Sequence, residues 1–261
     1  MTLVVLILLG IVVLYFYLRA QSAEARRSSA SRRWYIPPDE TAEEIGKKGE
    51  RLVYSLISRI EEPHYILNDL CFERKGGNST QIDHVYINKR GIWVIETKNY
   101  KGKIYGKPHG ERWTQSLLYG KETHTFYNPL KQNETHIGVL RSYLGKDAPL
   151  RSVVVFVNGD ISAIDHPFVV KAYDIDEILL TGDACLSSVE MQAYALKLQK
   201  IQEEHGISNE EHIENVENLQ DEIENYVCPR CHKKLVVRTR KDGGHFWGCP
   251  SYPDCDYTRP Y

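Results

Sequence analysis

The chain has 261 residues, room for one or two domains at about 150 residues each. Hydrophobic residues make up 42% and charged residues 26%, which supports a packed core and excludes global disorder. A net charge of −2 excludes a uniformly basic nucleic-acid coat, and six cysteines are too few in this length for a small disulfide scaffold.

Thr2 to Leu18 is uncharged and dense in Val, Leu and Ile. At about 1.5 Å per residue it reaches about 26 Å, enough for a thin bilayer core. Tyr15 and Tyr17 stand where an interfacial aromatic belt would, and Arg19, Arg26, Arg27, Arg32 and Arg33 follow. That charge bias predicts a single-pass anchor of residues 1–18 in the cell inner membrane, with the N-terminus out and the rest cytoplasmic. A cleaved signal peptide is the alternative, with Ala23 and Ala25 as a weak processing site, but no Lys or Arg precedes the run. Residues 19–40 read as a basic tether suited to anionic headgroups.

The globular body is expected over residues 41–200. Ile45, Leu52, Val53, Leu56, Ile57 and Ile60 form one stripe at helical spacing, so 41–60 is a helix, opened by the Thr41/Glu44 capping box. Strands are expected at 65–67, 82–87 and 92–97. Asn88-Lys-Arg-Gly91 turns the last two into a hairpin. Glycines 106, 110 and 120 punctuate further hairpin strands. Asn128-Pro129 opens a helix that stops at Gly145, and Ser152–Val157 is a strand covered on both faces. A strand at 168–173 and helices at 174–180 and 187–202 complete a mixed sheet with helices on both sides. Residues 201–226 form an acidic linker or solvated helix: 201–225 holds nine Asp or Glu and no Lys or Arg. Cys71 and Cys185 stand alone and read as buried thiols.

Two groups carry chemistry. On the hairpin, Glu96 and Lys98 alternate onto one strand face, and the neighbouring strand brings Asp83 to it. Two adjacent carboxylates repel and call for a cation; oxygen donors suit Mg²⁺ or Mn²⁺, with the Thr97 carbonyl as a further oxygen. An aspartate followed by Glu-x-Lys also arises as an ordinary surface ion pair. His84 alternates to the other face and reads as packing. Lys101 and Lys103 suit phosphate tracking or simple strand-edge charge. The second group is Cys228-x-x-Cys231 and Cys249-x5-Cys255, a tetrahedral four-thiolate pattern for one structural Zn²⁺ in a ribbon of residues 227–261. Bound zinc contributes about 10–16 kcal/mol to folding such a unit.

The run GNSTQIDHVYINKRGIWVIETKNYKGKIYG resembles the nuclease-related (NERD) domain of the PD-(D/E)xK nuclease-like superfamily. Gly46-Lys-Lys-Gly-Glu50 upstream, and Trp113 and Asn128-Pro-Leu-Lys-Gln132 downstream, extend the likeness. It implies an α/β restriction-endonuclease-like core and metal-dependent phosphodiester cleavage. Asp83 and Glu96 would hold the metal and Lys98 would sit at the nucleophile. Glu50 would be a further ligand or water-holder, and Gln132 a substrate contact. CPRCHKKLVVRTRKDGGHFWGCPSYPDC resembles the four-cysteine zinc ribbon of type IA topoisomerases, which implies binding to DNA, single-stranded above all. Lys233, Lys234, Arg238, Arg240 and Lys241 supply charge for phosphates, and Tyr252 is the best-placed stacking ring, with Trp247 in the small core. His232 departs from the glycine usual after the second knuckle cysteine. The combined expectation is a membrane-anchored, metal-dependent DNA nuclease with a DNA-gripping ribbon. The alternative is a catalytically inactive, membrane-tethered nucleic-acid-binding module.

Overall fold

The computed structural model describes residues 41–74 and 78–261. The expected anchor and tether lie outside those residues. Among the described residues no helix is long and apolar enough to cross a membrane.

Helix α1 (Ala42–Ile57) buries Gly49, Val53 and Ile57, one residue per turn along a single stripe. It stops short of the expected Ile60, closing in a tighter turn in which Arg59 N and Ile60 N donate to Leu56 O and Ile57 O. Strands β1 (Tyr65–Arg74), β2 (Asn78–Asn88) and β3 (Gly91–Lys98) then pair antiparallel in chain order. β1 runs far past the three residues expected of it. Asp69 takes a φ of 53° within the strand and the ladder continues on either side. A short aspartate tolerates that left-handed conformation better than most residues.

After β3 the chain makes a separate antiparallel sheet of β4 (Lys103–Tyr105), β5 (Arg112–Leu117) and β6 (Glu122–Tyr127). It re-enters the body at α2 (Pro129–Leu144). Asn128 caps this helix by accepting from Leu130 N, and Gly145, at φ 100°, ends it. The Asn128 amide also donates to the carbonyls of Pro108 and Gly110, at 2.8 and 2.6 Å, and so ties the small sheet to the helix start. Strand β7 (Leu150–Phe156) pairs parallel with β3, and β8 (Val169–Lys171) parallel with β7. The five-stranded mixed sheet has the order β1-β2-β3-β7-β8.

One face is covered by α2 and α4 (Ser188–His205), through Leu140, Leu144, Met191, Ala195 and Leu198. The other is covered by α1 and α3 (Ile175–Leu179). β3 feeds both layers: Ile92 and Val94 point into the first, Trp93 and Ile95 into the second. The acidic stretch is the end of α4 and a second helix, α5 (Asn209–Glu224), stitched to the edge of the sheet. Ile207 N donates to Cys71 O at 3.1 Å, Cys71 Sγ donates to Asn209 Oδ1 at 3.0 Å, and Ser79 Oγ lies 2.6 Å from His212 Nδ1. Its N-terminal turn thereby shields the outer edge of β1. Cys71 is buried as expected, whereas Cys185 is exposed, because it lies in the loop before α4 rather than under a helix.

Glycine at 49 is a packing requirement. A Cβ there would stand 2.8 Å from Asn99 Cβ, and Asn99 Nδ2 donates to Ile45 O at 2.7 Å, clamping α1 to the end of β3. Gly49→Ala is expected to cost about 1–3 kcal/mol, read as a lower urea midpoint with an unchanged slope.

Candidate active site and metal centre

Where the apolar run of β3 ends, the face toward α2 continues as Glu96 and Lys98. Glu96 is 1% exposed, a depth at which an unpaired carboxylate is costly. Lys98 Nζ lies 2.6 Å from Glu96 Oε1. His136 Nδ1, from the buried side of α2, lies 3.4 Å from Glu96 Oε2. Gln132, one turn earlier on the same helix, accepts from Lys98 Nζ through Oε1 at 3.1 Å. Two α2 residues at i and i+4 therefore answer two β3 residues at i and i+2. Asn133 fixes the spacing between helix and sheet, its amide donating to Val94 O at 2.8 Å and Ser152 Oγ at 2.8 Å.

The register that pairs His84 with Ile95 sets Asp83 beside Glu96. Asp83 Oδ2 accepts from Thr97 N at 2.7 Å. Burial first, and then the Glu96 charge, push the Asp83 carboxyl well above the usual carboxylate range; Lys98 and the Thr97 amide only partly oppose this. For Lys98, burial alone would lower the pKa, but Glu96 and Asp83 outweigh it and raise it. Lys98 is thus a cation at neutral pH and not a proton acceptor.

Glu50 is half-buried on α1 and held above its ordinary range by burial and by Asp69, with a smaller contribution from Glu96. It lines a cleft of about 510 Å³ together with Asp69, Gln81 and His84; Asn209 and Ile213 of α5 form another wall. His84 is buried and its Nδ1 lies 2.8 Å from Asn68 Oδ1. Burial drops its pKa to about 4, so it is neutral at physiological pH and packs as expected.

Four of the five residues expected from sequence are neighbours by direct contact or register: Asp83, Glu96, Lys98 and Gln132. Glu50 stands apart from them, on the cleft it shares with His84, and feels Glu96 and Lys98 only as weak charge effects. His136 and Asn133 were not anticipated. The available signal was helical spacing, since His136 follows Gln132 by four residues and so shares its face. Asp83 and Glu96 offer two mutually repelling carboxylates at one end of the sheet, oxygen donors of the kind a hard divalent cation takes, with the nitrogens of Lys98 and His136 as neighbours of Glu96.

The second centre lies in a three-stranded sheet, β9 (Val236–Thr239), β10 (His245–Gly248) and β11 (Thr258–Pro260), with β10 central. The sulfurs of Cys228, Cys231, Cys249 and Cys255 all lie within 4.8 Å of one another. They are the one such group of three or more His, Cys, Asp or Glu donors among the described residues. Backbone amides, that of Lys233 first, pull the Cys231 thiol down to about 6, whereas burial pushes Cys228 up to about 12. Four thiolates fill a tetrahedron, so a zinc bound there is structural. His232 is not part of this cluster. It occupies the glycine position with a φ of 55°, its N–H donating to Cys228 O at 2.8 Å.

Among the cations expected to meet phosphate, Lys234 and Lys241 are exposed. Lys233 is exposed too, with its Nζ 2.8 Å from Ser251 Oγ. Arg238 departs from that expectation in part. It donates to Cys249 O at 3.0 Å and stands 5.9 Å from the Tyr252 ring centre, bracing the knuckle. Arg240 sits 5.5 Å from the Phe246 ring. Tyr252 is exposed, and Trp247 packs between Tyr226 and Tyr261.

The molecule is thus an α/β domain with a buried carboxylate–lysine site, followed by a four-thiolate ribbon. Family models agree with both parts: residues 45–157 match the nuclease-related domain and residues 225–261 the topoisomerase DNA binding C4 zinc finger. The chain carries a nuclease-related domain and a C-terminal topoisomerase-type zinc ribbon. It is 38% identical over 112 residues to an uncharacterised protein of Bacillus anthracis, covering 42% of this chain and 52% of that one. Its ribbon is 54% identical over 33 residues to DNA topoisomerase 1 of Archaeoglobus fulgidus, covering 13% of this chain and 5% of that one. It is 53% identical over 36 residues to the uncharacterised protein YrdD of Escherichia coli, covering 14% and 19%. The matches therefore span about half or less of each of these relatives. No solved structure matches.

Two outcomes follow from this geometry. Asp83→Asn keeps an oxygen for the Thr97 amide but removes the repulsion with Glu96. It should raise the melting temperature of the metal-free protein, at about 2–4 °C per kcal/mol. Because the Asp83 pKa is raised by folding, the native state favours its proton. The penalty is absent below the unfolded value near 3.8 and grows as pH rises toward the folded value, so this gain should vanish in acid. In the ribbon, His232→Gly removes a left-handed non-glycine residue and should stabilise the zinc-bound fold by about 1 kcal/mol, read by competition with a zinc chelator.

Proposed function

We propose that the body is a restriction-endonuclease-like hydrolase that cleaves phosphodiester bonds in DNA, and that the ribbon grips DNA, single-stranded DNA in particular. The reading rests on one observation: a buried and a half-buried carboxylate on adjacent strands, Glu96 and Asp83, share their surroundings with a lysine that burial has not neutralised. Asp83 and Glu96 would hold Mg²⁺ or Mn²⁺. Such an ion, when bound, supplies a polarised water at neutral pH and offsets phosphate charge. Lys98 stabilises the negative charge that develops on the phosphate, and Gln132 holds the ammonium in its direction. His136 Nδ1 stands 3.4 Å from the second Glu96 oxygen. The role of water-holder that the family resemblance gives Glu50 would need it to reach across from the cleft it shares with His84. The ribbon raises the local concentration of substrate at the body. The apolar segment 2–18 would anchor the chain in the inner membrane, with both modules in the cytoplasm.

The test is cleavage of single- and double-stranded DNA and RNA with Mg²⁺, Mn²⁺ or EDTA. Asp83→Ala and Lys98→Ala should each slow cleavage by about 100-fold or more. A variant that cuts as fast as the parent removes the mechanism. Nucleic-acid binding without cleavage by the parent under any of these conditions would favour the inactive binding module instead. Removing zinc with a selective chelator should weaken binding to single-stranded DNA and leave cleavage of a short oligonucleotide unchanged.

A further inference from the structure

The small sheet between β3 and α2 has no part in the chemistry above, yet its composition is unusual for this chain. Residues 99–127 carry Lys101, Lys103, Lys107, Arg112 and Lys121 against Glu111 and Glu122, in a protein whose net charge is −2.

The register sorts these residues by face. Ile104 and Trp113 are fully buried and pack with Phe126 against Phe156, so their rungs face the body. The alternate rungs face away. One is Lys103–Ser116–Thr123, the next Tyr105–Thr114–Thr125, and the third Arg112–Tyr127. Tyr105 and Tyr127 are 45% and 44% exposed. Every side chain on these rungs is a cation or a hydroxyl; none is a carboxylate. Glu122 falls on a body-facing rung, 2.7 Å from His124 Nε2. Glu111 sits in the loop before β5. Asp160, 3.9 Å from Lys103 Nζ, is the carboxylate at the margin of the surface. Arg112 is pre-set, its Nη2 donating to Thr125 O at 2.9 Å and its Nε to Thr125 Oγ1 at 3.2 Å.

The two ends of this sheet converge on the site. It leaves β3 directly after Lys98 and returns four residues before Gln132, and those two side chains touch each other at 3.1 Å.

We infer that the outward face of β4, β5 and β6 is a docking surface for a nucleic-acid phosphodiester backbone and leads the strand to Lys98. The inference rests on the nuclease reading for what happens at Lys98. The surface itself stands on charge complementarity: hydroxyls and cations are the groups that contact phosphate and sugar, and a carboxylate-free row of them suits a polyanion.

The experiment uses the full chain with Lys103→Gln and Arg112→Gln combined, and a separate Thr114→Glu variant that places a negative charge on the middle rung. Binding of a fluorescent DNA duplex is followed by anisotropy through a salt series. The double variant should bind about tenfold more weakly at low salt, with a salt slope smaller by about two. Thr114→Glu should weaken binding in the same direction. Both should retain the parent's melting temperature and its affinity for Mn²⁺. Conservative Lys103→Arg should bind as the parent does. Affinity and slope unchanged in both variants, or no duplex binding by the parent, overturns the surface. The two readings separate cleanly. Cleavage that depends on Asp83 but ignores both variants keeps the nuclease and removes the surface. A reduced slope in a protein that cuts nothing keeps the surface and removes the nuclease.

Discussion

Negative charge buried at the end of a hydrophobic sheet is the constraint around which the body is organised. Glu96 is as inaccessible as the Ile and Val residues that precede it on β3, and Asp83 lies beside it on β2. Neither position is explained by packing, because an apolar residue of similar size would sit there at lower cost. What makes the arrangement tolerable is a ring of fixed partners. Lys98 contacts Glu96 on one oxygen and the Thr97 amide holds Asp83, whereas Glu96 Oε2, 3.4 Å from His136 Nδ1, makes no hydrogen bond. Residual repulsion remains, and it marks the place where a divalent cation would be most strongly favoured.

The helix α2 is the second element of that arrangement. Its position is set by buried amides rather than by its apolar face alone. Asn128 joins its start to the small sheet, and Asn133 joins its second turn to β3 and β7. Gln132 and His136 inherit their aim from this anchoring. The ribbon uses a different economy of scale: four sulfurs form much of its core, with Leu235, Trp247 and Tyr257 packed around them.

Much of this was legible in the sequence because it depends on local periodicity. The alternation of β3 placed Glu96 and Lys98 on one face, the Asn88–Gly91 turn delivered Asp83 to the same place, and Asn128 with Gly145 bounded α2. The Cys spacing likewise delivered the ribbon. What escaped depends on contacts between elements distant in the chain. His136 matters because α2 lies over β3, which no local pattern states. The reach of β1 past Leu67 comes from its pairing with β2, which carries the ladder on across the left-handed Asp69. Cys185 was misjudged as buried because composition says nothing about which loops lie under a helix. Arg238 carries the charge of a phosphate ligand but spends a donor on its own ribbon.

The contact between Lys98 and Gln132 also closes the neck of the β4–β6 excursion. A loop whose two feet are fastened together transmits little of what occurs at its far end. Its hairpin is tipped by the solvent-facing Leu118 and Tyr119, at the end of the arm farthest along the chain from that contact. Lengthening or exchanging that arm between homologous chains is a change of reach, made without retuning the chemistry at its base.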